Sequence, residues 1–132
     1  MLFRSIGDQV LKLVAARLAE VGGGATAYRY GGEEFTLLFP AQSVQRALPH
    51  LAKVRETIER YPMAVRGEDR PKDLKEGSKR RGGKSADKML SVTVSMGAAD
   101  RTAERRTAAE VLKAADEALY RAKQAGRNRV SL

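Results

Sequence analysis

The stretch Tyr28-Arg29-Tyr30-Gly31-Gly32-Glu33-Glu34-Phe35-Thr36-Leu37-Leu38-Phe39 leaves its backbone few choices. Two runs rich in aromatic and apolar residues flank a Gly-Gly pair. That pattern reads as a tight β-hairpin over roughly 25–39, because primed two-residue turns need positive φ and glycine supplies it without steric cost. Pro40 ends the second strand. Two adjacent carboxylates, Glu33 and Glu34, follow the glycines at once, and like charges side by side repel. Taken alone, such a pair marks either a solvated hairpin end or a site where bare backbone lets a phosphorylated ligand approach and carboxylates hold its metal ion.

The flanking elements form a frame for this hairpin. Val10, Leu11, Val14, Leu18 and Val21 recur at helical spacing, which predicts an amphipathic helix over 5–21, capped by Ser5 with Asp8 and stopped by Gly22-Gly23-Gly24. A second helix, capped by Ser43, carries Val44, Leu48, Leu51, Val54 and Ile58. Pro49 interrupts it, so a kink or a restart is expected there. Leu90, Val92, Val94 and Met96 alternate with Ser91, Thr93 and Ser95, the pattern of a half-buried strand. In the last helix Thr107 and Glu110 make a capping box. Its apolar face is Ala108, Val111, Leu112, Ala115, Ala118, Leu119 and Ala122, with Gly126 as the stop and a short strand at 129–132. Helices alternating with antiparallel-looking strands indicate an α/β sandwich of the ferredoxin-like kind.

Composition narrows the function classes. The 132 residues suit one domain, and no cysteine is present to build a disulfide, a thiolate metal site or a cysteine nucleophile. The single histidine, His50, falls in a predicted helix, where an exposed or capping role is expected rather than a catalytic one. No apolar run reaches the length of a membrane span, and the first residues lack the pattern of a signal peptide. The net charge of +9 points to anionic partners; its excess lies in 66–88 and in 101–132. With 5% aromatic residues and no Trp, a base-stacking surface is poorly supplied, so no specific nucleic-acid partner is expected. Residues 66–88 are almost devoid of apolar side chains and read as a basic, solvated insertion that includes Lys79-Arg80-Arg81.

Four ordered motifs carry a family resemblance. Arg29-Tyr30-Gly31-Gly32-Glu33-Glu34-Phe35 resembles the signature of the GGDEF family of bacterial diguanylate cyclases. Gly7-Asp8-Gln9-Val10-Leu11 is similar to the start of its second helix, and Val92-Thr93-Val94-Ser95-Met96-Gly97 to a central strand. Ala115-Asp116-Glu117-Ala118-Leu119-Tyr120-Arg121-Ala122-Lys123 followed by Gly126-Arg127-Asn128 resembles its C-terminal signature. The resemblance runs over 1–132 apart from the 66–88 insertion. It implies a nucleotidyl-cyclase palm, a mainly antiparallel sheet with helices packed on it. It also implies condensation of two GTP molecules to cyclic di-GMP with release of two pyrophosphates.

Carried over by position, the resemblance makes Glu33 the metal ligand and Glu34 the second signature carboxylate, beside the reacting hydroxyl. Gly31 and Gly32 become the backbone that approaches the nucleotide, Asp8 a guanine partner, and Lys123 with Arg127 the holders of the terminal phosphates. The implied cofactor is Mg²⁺ or Mn²⁺, and the implied catalytic unit is a homodimer with one GTP per protomer. Localisation would be cytoplasmic, or on the cytoplasmic side of a membrane-anchored parent, with membrane contact only through a region upstream of this chain.

The sequence also departs from the family. An Asp-x-Asp metal motif on a first strand, and a guanine-binding Asn after it, belong to the family pattern, and neither is found in these 132 residues. A partial domain with its first strand missing is therefore expected to show little or no cyclase activity by itself. The open sheet would favour strand exchange, an oligomer or local disorder. The family's Arg-x-x-Asp product-inhibition site is absent, since Gly22 and Ala25 stand there, so weak binding of cyclic di-GMP is expected. The alternative is a degenerate module that binds nucleotide or a protein partner without turnover.

Overall fold

The structure, a computed structural model, describes residues 6–66 and 87–132. In chain order the elements are α1 (Ile6–Leu18), β1 (Thr26–Gly31), β2 (Glu34–Leu38), α2 (Val44–Arg60), β3 (Met63–Arg66), β4 (Asp87–Leu90), β5 (Met96–Gly97), α3 (Ala108–Gln124) and β6 (Val130–Ser131). The expected Ser5 cap and the Lys79-Arg80-Arg81 patch lie outside the described residues. The ends of the 66–88 insertion do not: Arg66 pairs with Asp87 and Val65 with Lys88, so the insertion is rooted in an antiparallel ladder.

Apolar spacing in the helices becomes burial. Val14 and Leu18 of α1, Val54 and Ile58 of α2, and Met63 of β3 form the central cluster. Ala27, Phe35 and Leu37 from one face of the hairpin pack against it, as do Val92, Val94 and Met96. The opposite hairpin face leaves Tyr28 and Leu38 exposed. This is the two-face alternation that a strand dictates. Leu13, absent from the predicted stripe, also joins the cluster.

Three expectations are corrected. α2 runs unbroken from Val44 to Arg60 with Pro49 inside it, so the helix does not restart. The cap at Ser43 accepts the Arg46 N–H and holds the first turn, while the proline ring leaves the Gln45 carbonyl without its helical donor. The alternating segment 90–96 is not one strand: β4 ends at Leu90 and β5 begins at Met96. Val92 and Val94 are half-buried and Ser91 and Thr93 exposed, as the pattern requires. A ladder, however, needs a neighbouring backbone, and among the described residues none pairs with 91–95. Strand pairing among the described residues therefore gives three two-stranded sheets, β1-β2 and β3-β4 antiparallel and β5-β6 parallel. On α3, Ala108 and Leu112 are exposed, and the buried residues are Ala118 and Ala122.

His50, expected to be exposed or capping, instead packs its ring against the Gly22-Gly23 loop and near the Phe39 ring, with centroids 6.3 Å apart. Both halves of the capping box at the start of α3 are formed. Glu110 donates its N–H to Thr107 Oγ1 at 3.1 Å, and Thr107 N–H returns a bond to Glu110 Oε1 at 3.1 Å. The Thr107 N–H, together with the Thr107 hydroxyl, which donates to the same Oε1 at 2.9 Å, holds the Glu110 carboxyl below its usual value. Thr107→Ala is expected to cost about 1 kcal/mol in urea unfolding, because it leaves a first-turn N–H without its acceptor.

Candidate active site: the hairpin tip and the last helix

The hairpin tip differs by one residue from the simplest reading. Gly31 pairs with Glu34, which makes Gly32 and Glu33 the central residues of the turn. The register shifts between Arg29 and Gly31, so Tyr30 is the extra residue of a bulge. Gly32 adopts φ +53, a left-handed conformation that glycine takes without strain. The Arg29 guanidinium folds back over the turn and donates to the Gly32 carbonyl from Nη2 at 2.6 Å and from Nε at 3.2 Å. The tip is thereby pinned from its own strand. A Cβ built on Gly31 or Gly32 meets nothing within 4 Å, so packing within the chain does not require a bare backbone there.

Glu34 opens β2 and lines a cleft of about 210 Å³ together with Asp116, Leu119, Tyr120 and Lys123 of α3. The hairpin signature and the C-terminal signature therefore meet across one opening. Lys123 sits in the last helical turn, where a cation also suits the helix dipole. Glu33, Glu34, Lys123 and Arg127 are paired with no other described residue. Of these, Glu34 and Lys123 line the cleft, and an unpaired carboxylate facing an unpaired ammonium suits a ligand that carries both phosphate and cation.

Of the residues singled out from sequence, the structure brings Glu34 and Lys123 to the same cleft; Gly31, Gly32 and Glu33 adjoin Glu34 in the hairpin turn and are not part of the lining. Arg127 lies just beyond α3, exposed, at φ +64. Asp8 is in the first turn of α1 and is not part of the cleft lining. Asp116 and Tyr120 were not assigned a role from sequence. Their spacing of seven and three residues before Lys123 places them on its helical face, a signal that was available.

Asn128, in the loop that leaves α3, rests on a network that sequence spacing could not show. Asn128 Nδ2 donates to Glu59 Oε2 at 2.8 Å, and Arg55 Nη1 donates to Asn128 Oδ1 at 2.8 Å and to Glu59 Oε1 at 3.2 Å. The Asn128 bond, with the Arg55 and Arg60 cations, holds the Glu59 carboxyl below its usual value against a contrary push from burial. The contribution of this carboxylate to stability is present above its unfolded pKa and is lost as the pH falls through the lowered folded value.

Carboxylate oxygens at Glu33 and Glu34 suit a hard divalent cation, which binds through one or two carboxylates together with substrate phosphates. Among the described residues no group of three or more His, Cys, Asp or Glu side chains converges to hold a metal unaided. The residues fit such an ion as part of a shared shell rather than as a complete cage.

A profile of the family described as "Diguanylate cyclase, GGDEF domain" matches residues 4–77 and 75–129. The chain belongs to the GGDEF family. It is 38% identical over 125 residues to diguanylate cyclase VdcA of Vibrio cholerae, covering 94% of this chain and 32% of that protein. Among solved structures it superposes on diguanylate cyclase SiaD from Pseudomonas aeruginosa, in complex with its activator SiaC, with a TM-score of 0.69. The two are 32% identical, and the match covers 94% of this chain and 40% of that one. The GGDEF domain of DgcB from Caulobacter crescentus, crystallised with its coiled coil and c-di-GMP, gives a TM-score of 0.63 at 26% identity. That match covers 95% of this chain and 56% of that one. The chain thus spans about a third of the curated relative's length. The shared architecture is an α/β nucleotidyl-cyclase-like fold, as its helices and mainly antiparallel strand pairs indicate. Among the described residues no helix is long and apolar enough to cross a membrane.

Proposed function

We propose that this GGDEF chain forms one half-site of a diguanylate cyclase, which condenses two GTP molecules to cyclic di-GMP for bacterial second-messenger signalling. The observation that carries the reading is the cleft that sets Glu34 of the hairpin opposite Lys123 of α3. In the reaction each ribose 3′-oxygen attacks the α-phosphorus of the other nucleotide. Two phosphodiester bonds form, two pyrophosphates leave, and each hydroxyl gives up its proton. Two protomers are required, because each presents one nucleotide. Lys123 and Arg127 hold the terminal phosphates, Asp8 meets the guanine, and Gly31 and Gly32 let the nucleotide lie close to the backbone. Glu33 and Glu34 face the reacting end. Glu33 would hold Mg²⁺ or Mn²⁺, which when bound offsets charge developing on the phosphates.

The shortage of metal donors among the described residues supports a second reading, a module that binds nucleotide or a protein partner without turnover. Incubation with GTP and Mg²⁺ or Mn²⁺, with chromatographic detection of cyclic di-GMP, separates the two. The 132-residue chain by itself is expected to give little or no product, and a chain extended at its N-terminus to give product. Failure of both, with GTP still bound, would establish the second reading.

A further inference from the structure

We propose that Asn128 and Glu59 are positioning residues for Arg127, locking the loop after α3 so that its guanidinium is presented to the phosphates of the nucleotide. The inference rests on the reading of Arg127 as a phosphate ligand. It starts from a backbone oddity: Gly126, Arg127 and Asn128 have φ of +115, +64 and +49 in succession. One such residue closes many helices, but two consecutive side-chain-bearing residues in the left-handed region are costly without an external hold.

That hold is on the page. The Asn128 N–H donates to Ser95 Oγ at 3.2 Å, and its amide bridges Arg55 and Glu59 on α2, about seventy residues away in sequence. Arginine only donates and a carboxylate only accepts, so the amide has one orientation that satisfies both. Arg55 is also steadied by its own bond to Glu59, and its side chain is 18% exposed. On the helix side, the Arg127 N–H donates to the Ala122 carbonyl at 2.9 Å, and its carbonyl accepts from Arg129 Nε at 3.0 Å. The backbone of Arg127 is therefore fixed on both sides while its side chain stays unpaired among the described residues. Fixing the loop beforehand removes ordering entropy that phosphate binding would otherwise have to supply.

NMR titration of the isotope-labelled chain with GTP and Mg²⁺ tests this, with guanosine as the ligand that lacks phosphates. Asn128→Ala and Glu59→Gln are each expected to weaken GTP binding roughly tenfold, the scale of one hydrogen bond to a charged group. Guanosine binding should not change. Once Arg127→Ala is present, adding Asn128→Ala should weaken GTP no further, because the clamp acts through that guanidinium. Asn128→Gly, which tolerates the backbone angle but lacks the amide, should behave like Asn128→Ala. Wild-type affinity in Asn128→Ala and Glu59→Gln, alongside a weakened Arg127→Ala, would sink the positioning role alone. Equal affinity in wild type and Arg127→Ala, or no GTP binding by wild type, would sink the phosphate reading and the proposal with it.

Discussion

Gly97→Ala is expected to destabilise the domain by about 3 kcal/mol or more in urea unfolding, at the upper end of what overpacking costs. β5 rides directly on α3 at this point. A Cβ on Gly97 would overlap the Ala115 carbonyl oxygen and the Leu119 nitrogen, and would lie 2.8 Å from Leu119 Cα. All three are helix backbone, so no rotamer change can make room. Either the strand lifts, breaking the Met96 and Ala98 N–H bonds to the Arg129 and Ser131 carbonyls, or α3 shifts. A shift of α3 carries Leu119 and Lys123 of the cleft with it. The control is Gly31→Ala at the hairpin tip, where a Cβ meets nothing within 4 Å and φ is not positive. That change should stay within about 0.5 kcal/mol. Equal, small losses at both positions would mean that the strand is not seated on the helix as described.

The contrast between these two glycines shows what the sequence could reveal. Gly31 stood out because it belongs to a local signature, and its turn chemistry is written in adjacent residues. Gly97 stood out only as the end of an alternating run, because its partner is a helix backbone eighteen residues on. The same division holds elsewhere. The Thr107–Glu110 capping box, the stripe of Val14 and Leu18, and the hairpin are local patterns, and the structure contains them. The break in the ladder at 91–95 was hidden, because alternation reports which face is buried and not whether a neighbouring strand exists. In the site, Glu34 and Lys123 were legible through their motifs. The Arg55–Glu59–Asn128 network was not, since hydrogen bonds spanning 69 and 73 residues leave no spacing to read.

The largest effect on chemistry is expected at Glu34. In a chain extended until it turns over GTP, Glu34→Gln should cut product formation by at least about 100-fold, the low end of what a positioned acid–base group contributes. Its unfolding free energy should stay within about 0.5 kcal/mol of the parent, because the exposed side chain makes no hydrogen bond or ion pair with a described residue. Glutamine keeps the shape and strand register at the Gly31 pairing and removes only the charge. Across the cleft Lys123 would then lack the hairpin carboxylate of the lining, while Asp116 remains in the lining two turns earlier on α3. GTP affinity should therefore hold or rise slightly, since one negative charge has left a site proposed to receive phosphates. A large loss of turnover with intact stability and binding places Glu34 at the reacting end of the nucleotide. Full turnover by the Glu34→Gln chain would reduce the second carboxylate of the signature to a hairpin residue, and leave Glu33 to carry the chemistry of the tip.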